Sequence, residues 1–281
     1  MPRPKPLETA LLRWQASAGR TLEAREATSP WDVLVVEVMS QQTQIERVGR
    51  RWRSFVERWP DPPALSRAGT HDLLAEWAGL GYNRRALALR ETARRIVRDH
   101  DGAVPGDLDA LVALPGIGPY TARAILATAF GQPVAPVDVN VRRVVTRIHG
   151  GSVATGRIQA AADAMVSRRD PKRWIWAVMD LAATVCSRRA PRCSECPIRA
   201  ACASAGTAGE EPVAGRATSF ESTNRWLRGQ VLARLRTASP GAWIPFAGPI
   251  GTHAVTAVRN ALKALEAEGY LERKGTLARL V

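Results

Sequence analysis

Cysteine is scarce in this 281-residue sequence, and all of it, Cys186, Cys193, Cys196 and Cys202, falls within one short stretch. A disulfide framework spreads its cysteines over the segments it joins, so the clustering argues against disulfides and for metal ligation in a reducing compartment. Long apolar runs are missing too. None approaches the roughly 20 residues that a membrane span requires, so no membrane is expected as a partner. The opening MPRPKPLETALLRW lacks the apolar stretch and small-residue cleavage site of a signal peptide, which predicts a cytoplasmic protein. Acidic residues are few, 26 against 40 Lys plus Arg, and the formal net charge of +14 predicts an acidic polymer as partner. Lysine is almost absent, being confined to Lys5, Lys172, Lys263 and Lys274. Arginine supplies the rest of the positive charge and suits bidentate phosphate contact.

Alternating strand patterns are absent before residue 205, which predicts an all-helical body. Helices are expected over Leu7 to Ser17, from Trp31, and over Glu46 to Trp59, His71 to Trp77, Arg84 to Asp99 and Leu108 to Ala113. WPDPPA, AGLGYN and DHDGAVPGD read as connections. Ser29-Pro30-Trp31-Asp32 reads as a helix start, with an N-cap, a proline at the first helical position and an acid at the third. Three more helices follow Asp138, and the last runs into the cysteines. SAGTAGEEPVAGRATS, within 203–219, reads as a linker. Residues 220–281, with two helices and a short two-stranded basic wing, resemble a winged-helix unit.

Leu114-Pro115-Gly116-Ile117-Gly118 cannot lie inside a helix, because Pro115 lacks a donor and the two glycines relax the backbone. It reads as a hairpin between helices whose outward N–H groups suit a phosphate, although an ordinary helix–helix connection shows the same pattern. Asp138, just before VNVRRVV, suits an N-cap. Glu37 is the single acid in the middle of an otherwise apolar helical stretch, where desolvation raises a carboxyl pKa and favours proton donation. A Glu at a groove mouth paired with Arg47 or Arg51 fits the same residues. The spacing C-x6-C-x2-C-x5-C leaves iron–sulfur and zinc about level.

In combination these motifs resemble the helix-hairpin-helix (HhH-GPD) DNA glycosylase superfamily, in which LPGxG precedes, by about twenty residues, an aspartate within V-D-x-N-V-x-R-V. The resemblance runs from about Trp31 to Cys202. Glu37-Val38-Met39-Ser40-Gln41-Gln42-Thr43-Gln44 is similar to the E-x-M-L-Q-Q-T-Q signature of MutY-type adenine DNA glycosylases, with Ser40 in place of leucine. Gly79 to Ala86 is similar to that branch's G-L-G-Y-Y-x-R-A loop. The resemblance implies a two-part helical body over 1–185, a six-helix half about 31–137 with the other half built from the N-terminal helix and 138–185. It also implies a 4Fe–4S cluster held by Cys186, Cys193, Cys196 and Cys202 in the loop 186–202.

It further implies that Glu37 protonates the base, that Asp138 stabilises the oxocarbenium ion, and that Tyr120 and Asn140 order the site. Gln42 and Tyr82 would enter the base stack, while Thr43 and Leu80 would approach the opposite base. Gly116, Gly118 and Arg25 would contact DNA. Tyr120 stands where bifunctional relatives carry a Schiff-base lysine, and a phenol cannot form an imine, so a monofunctional enzyme is expected. The partner is expected to be double-stranded DNA with a mismatch or oxidised base, bound by a nucleoid-associated monomer. The implied activity is excision of adenine opposite 8-oxoguanine or guanine.

The sequence departs from the branch in three places. Leu22-Glu23-Ala24-Arg25 stands for L-P-W-R, Trp176 stands where many members place an adenine-reading Gln or Glu, and 220–281 is too short for a Nudix-like domain. The first two departures leave a G:T or G:U mismatch glycosylase as the alternative. An iron–sulfur DNA-binding protein without catalysis is a further one, and has no use for Glu37 and Asp138.

Overall fold

The computed structural model describes residues 5–151, 153–207 and 219–281. Most of the expected linker, 208–218, lies outside the described residues. The helices are α1 (Lys5–Ala18), α2 (Pro30–Ser40), α3 (Ile45–Arg58), α4 (Pro62–Ser66), α5 (Thr70–Glu76), α6 (Arg84–Asp99), α7 (Leu108–Ala113), α8 (Pro119–Ala129), α9 (Val139–Ile148), α10 (Ile158–Met165) and α11 (Pro171–Thr184). After the cysteine loop come α12 (Asn224–Arg236), β1 (Ile244–Pro245), α13 (Val255–Ala267), β2 (Leu271–Lys274) and β3 (Leu277–Leu280). No helix among the described residues is long and apolar enough to cross a membrane.

Side-chain caps set six of the helix starts among the described residues. Ser29 Oγ accepts from the Asp32 N–H at 3.0 Å with Pro30 at the first helical position, as its sequence predicts. Asp107 and Asp170 cap α7 and α11 in the same way. Asp61 caps α4 by accepting from the Ala64 N–H at 2.7 Å, with prolines following at once. The WPDPPA segment is therefore a short helix and not a connection, and the 30–129 region carries seven helices where six were expected. An Asp before two prolines is itself a helix-start signal.

Two buried cores meet along α8. The first is centred on α2, where Val33, Leu34, Val35, Val36, Val38 and Met39 are all buried, and includes Trp52, Phe55 and Trp77 from α3 and the end of α5. The second joins Leu7 and Leu11 of α1 to Val141, Val144 and Val145 of α9 and to Trp174, Val178 and Leu181 of α11. Ala122, Ile125 and Leu126 of α8 face the first core, and Ala127 faces the second.

The C-terminal residues pack as a helix–strand–helix–hairpin unit. Its sheet has the order β1-β3-β2, fully antiparallel, with Ile244 opposite Ala278 and Leu271 opposite Leu280. The expected two-stranded wing is thus three-stranded, because two residues too short to show alternation add an edge, where Pro245 is tolerated. The buried side chains of this unit, from Leu227 to Leu280, are continuous with the first core of the body.

A buried carboxylate pins the chain between α1 and α2 to α11. Asp180 is wholly buried and accepts from Arg20 Nε at 2.8 Å, from Arg25 Nη1 at 2.9 Å and from Arg25 Nη2 at 2.7 Å. Burial alone would raise this carboxyl, but the hydrogen bonds from Arg25 and Arg20 overcome it and hold the pKa below the usual range. Removing one partner of such a pair strands the others. Asp180→Ala is expected to cost about 3 kcal/mol in urea unfolding, against less than about 1 kcal/mol for the exposed Asp72→Ala.

Candidate active site and nucleic-acid interface

The two cores each supply one acid to their seam. Glu37 lies on α2 among buried valines, and although it keeps some exposure, its surroundings desolvate the carboxyl and push its pKa up to about 7. Asp138 begins α9 from the other half. Its Oδ1 accepts from the N–H groups of Asn140 at 2.8 Å and Val141 at 2.7 Å, and its Oδ2 accepts from Asn140 Nδ2 at 2.7 Å. Tyr120, on the first turn of α8, lies between them electrostatically. Burial first, and then Glu37 and Asp138, raise its phenol pKa well above the ordinary value, so it stays neutral.

The Asp138–Asn140 pair is braced from behind. Arg143, 9% exposed, donates from Nη1 to Asn140 Oδ1 at 3.1 Å, from Nη2 to Ala182 O at 3.0 Å and from Nε to Cys186 O at 3.0 Å. One turn later, Arg147 donates to Cys186 Sγ at 3.4 Å and to Ser187 O at 2.7 Å. The first cysteine is therefore tied by two buried arginines of α9 to the segment that carries Asp138.

All four cysteines are half-buried, free thiols, and they line one small pocket with Val144, Ile148, Leu181, Val185 and Ile198. Burial, together with the neighbouring cysteines, raises the Cys196 and Cys202 thiols. Among the described residues no three His, Cys, Asp or Glu side chains are gathered tightly enough to hold a single metal ion; the thiols ring a space instead.

A second constellation lies at the end of α2. Gln42 and Tyr82 are non-glycine residues at φ 56° and 46°, in the left-handed region that L side chains adopt only at a cost. Arg85 holds both turns. It is 9% exposed, and it donates from Nη1 to Val38 O and Met39 O at 2.9 and 2.6 Å, and from Nη2 to Thr43 Oγ1, Leu80 O and Gly81 O at 2.9, 3.0 and 3.1 Å. Burial pulls its pKa down to about 10, so it remains charged at neutral pH. Gln41 Nε2 donates to Gly116 O at 3.0 Å and Thr121 Oγ1 at 3.2 Å, joining this segment to the glycine hairpin. In that hairpin Gly116 has φ 76°, and a Cβ there would stand 3.2 Å from Ala88 Cβ. Gln42, Tyr82, Gly116 and Gly118 are all exposed.

A profile of the HhH-GPD superfamily of base excision DNA repair proteins matches residues 35–168. An adenine DNA glycosylase of Mycobacterium tuberculosis is 43% identical over 82% of this chain and 79% of that one. The chain belongs to the adenine DNA glycosylases of the HhH-GPD superfamily. A thymine/uracil-DNA glycosylase of Pyrobaculum aerophilum is 34% identical over 67% of this chain and 86% of its own. The solved structure of a thermostable thymine-DNA glycosylase superposes with a TM-score of 0.66 at 26% identity, covering 70% of this chain and 93% of its own. An endonuclease III–DNA complex shares the fold, at a TM-score of 0.60 and 21% identity, over 70% and 92% of the two chains.

Two expected DNA contacts of this glycosylase are turned inward. Both terminal nitrogens of Arg25 are taken by Asp180, and the face of its guanidinium lies 5.0 Å from the Trp176 ring, which Lys172 Nζ approaches to 4.8 Å. Arg25 therefore positions Trp176 and is not free for phosphate. Leu80 is 3% exposed, with its side chain in the first core and only its carbonyl used at the turn. Ala24 is also buried. Sequence reasoning missed Arg85, Gln41 and Arg143. Arg85 did stand inside the G-L-G-Y-type motif, and that was the available signal.

The raised pKa of Glu37 has a definite sign. Its folded-state pKa of about 7 lies above the unfolded value of 4.5, so the stability linked to its proton is complete below about pH 4.5 and is lost as pH rises through 7. Glu37→Gln is expected to exceed the parent in stability by about 2–3 kcal/mol in urea unfolding at pH 8 and to match it at pH 4. Equal stability at both pH values would mean that Glu37 is solvated.

Proposed function

We propose that the chain flips adenine mispaired with 8-oxoguanine or guanine out of duplex DNA and hydrolyses its N-glycosidic bond. The observation that carries this reading is a carboxyl whose pKa is pushed up to about 7 and a second carboxyl at a helix start, both within electrostatic reach of Tyr120. Two acids in unlike environments are what glycosidic cleavage needs, one as proton donor and one as stabilising anion. Glu37 gives its proton to the base, and the electron pair of the bond to C1′ leaves with it. Asp138, oriented by Asn140 and Arg143, faces the oxocarbenium charge. Water then adds at C1′ and returns a proton to Glu37. Tyr120, with its neutral phenol, cannot form an imine with the sugar, so the strand stays intact. Gln42 and Tyr82 enter the gap that the flipped nucleotide leaves, and Gly116 and Gly118 receive a phosphate.

A second reading, thymine or uracil release opposite guanine, is favoured by Ala24 and Trp176 and by the similarity to the Pyrobaculum aerophilum relative. An indole offers no paired donor and acceptor for adenine. Single-turnover base release on A:8-oxoG, A:G, T:G, U:G and A:T duplexes separates the two. Adenine release opposite 8-oxoguanine or guanine, with breaks only after alkali, is expected. Thymine or uracil release would replace the first reading by the second.

We propose further that Cys186, Cys193, Cys196 and Cys202 hold a 4Fe–4S cluster. Four free thiols around one apolar-walled cavity, with the two buried arginines Arg143 and Arg147 behind Cys186, fit a cluster and its negative charge. Once bound, the cluster supplies a covalent cross-link of the 186–202 loop. The protein is expected to contain near-equal iron and acid-labile sulfide, both lost in Cys196→Ser; stoichiometric zinc instead would overturn the assignment.

A further inference from the structure

The aromatic side chain that the proposed function sends into the base stack is already engaged on the protein. Tyr82 is 37% exposed, and its hydroxyl accepts from Arg225 Nη1 at 2.6 Å. The Arg225 guanidinium also covers the ring, 3.8 Å from its centroid, while that of Arg85 lies 5.5 Å from the same centroid. Phe220 approaches the Arg225 guanidinium in turn, at 5.5 Å. A residue that the body offers to DNA is thus held at its tip and on one face by a residue of the C-terminal unit.

Arg225 is not placed to serve its own helix. It is the second residue of α12, after the cap Thr223, whose Oγ1 accepts from the Trp226 N–H at 3.2 Å. The start of a helix carries partial positive charge, so a cation there works against the dipole. The first turn has no acid to offset it. What the arginine gains at this position is the Tyr82 contact.

The helix that presents Arg225 is docked along its length. Leu227, Val231, Leu232 and Leu235 are buried in the first core, and just beyond the C-terminal end of α12 Ala238 O accepts from His71 Nε2 of α5 at 3.2 Å. At its start, Trp226 stacks on His253 at 5.7 Å between centroids, and a Cβ at Gly251 would stand 2.5 Å from the Trp226 ring. A Tyr82 ring that turns into a duplex therefore leaves Arg225 behind. Stacking between bases uses both faces of a ring, and the guanidinium stands where one of those bases would lie. The Arg225 contact and the inserted ring exclude each other.

We propose that Arg225 is a latch on Tyr82, keeping the ring on the protein over intact duplex and releasing it only where a gap in the base stack outweighs the lost contact. This rests on the DNA-repair reading of the body and gives that reading a threshold for insertion. A contact made only in the un-inserted state shifts the balance toward that state by its own strength. A hydrogen bond from a charged donor, together with a guanidinium on a ring, sets that threshold at about tenfold.

The test is equilibrium binding of the full chain to two duplexes of one sequence, one intact and one with a tetrahydrofuran abasic analogue opposite guanine. The ratio of the two affinities reads insertion, because phosphate contacts act on both duplexes alike. That ratio is expected to rise about tenfold in R225A, and by less in R225K, whose single ammonium cannot hold the hydroxyl and cover the ring together. In a Y82A background, adding R225A is expected to leave the ratio where Y82A alone puts it. An unchanged or lowered ratio in R225A would overturn the latch. So would a rise confined to R225A, which lost charge would explain, or a rise that persists without Tyr82. A parent that does not prefer the abasic duplex would remove the DNA-repair reading, and the latch with it.

Discussion

A single buried guanidinium organises the part of this protein that would meet DNA. Arg85 has five oxygen acceptors, two at the frayed end of α2 and three on the turns that carry Thr43, Leu80 and Gly81. Helix ends leave carbonyls without partners, and here a side chain from another helix satisfies them. The same side chain lies against Trp77 and Tyr82. Left-handed φ values at Gln42 and Tyr82 persist because Arg85 over-determines the turns around them. Lysine could not replace it, since one ammonium cannot span five acceptors in a fixed plane.

The seam between the two cores follows from the same economy of few polar groups in apolar surroundings. α8 contributes side chains to both cores, so its first turn, with Tyr120, is fixed relative to α2 and to α9 at once. Glu37 is desolvated by the side chains that make α2 central. Asp138 is instead given hydrogen-bond donors, and Arg143 passes its orientation on to Cys186 and α11. One acid is thereby set up to hold a proton and the other to accept hydrogen bonds. The difference arises from packing and not from residue type.

Arginine supplies both the internal polar packing and most of the positive charge of this chain. Arg20, Arg25, Arg85, Arg143 and Arg147 work inside, satisfying carboxylates and carbonyls that would otherwise be buried alone. Those left outside give the strong positive field. Composition reports only the sum of the two sets.

The sequence by itself determined what depends on neighbours within a turn or two. Helix starts at Ser29 and Asp138 were legible because a cap and its donors lie within three residues. The cysteine spacing, the glycine hairpin and the isolation of Glu37 in an apolar helix were legible for the same reason. Only the tertiary structure decided where each arginine goes, since its partner is remote: Arg25 meets Asp180 across 155 positions, and Arg225 meets Tyr82 across 143. It likewise turned Leu80 inward and added β1 to the wing. A flexible, always-charged side chain has no local preference that would reveal its partner, so only the packed fold selects it.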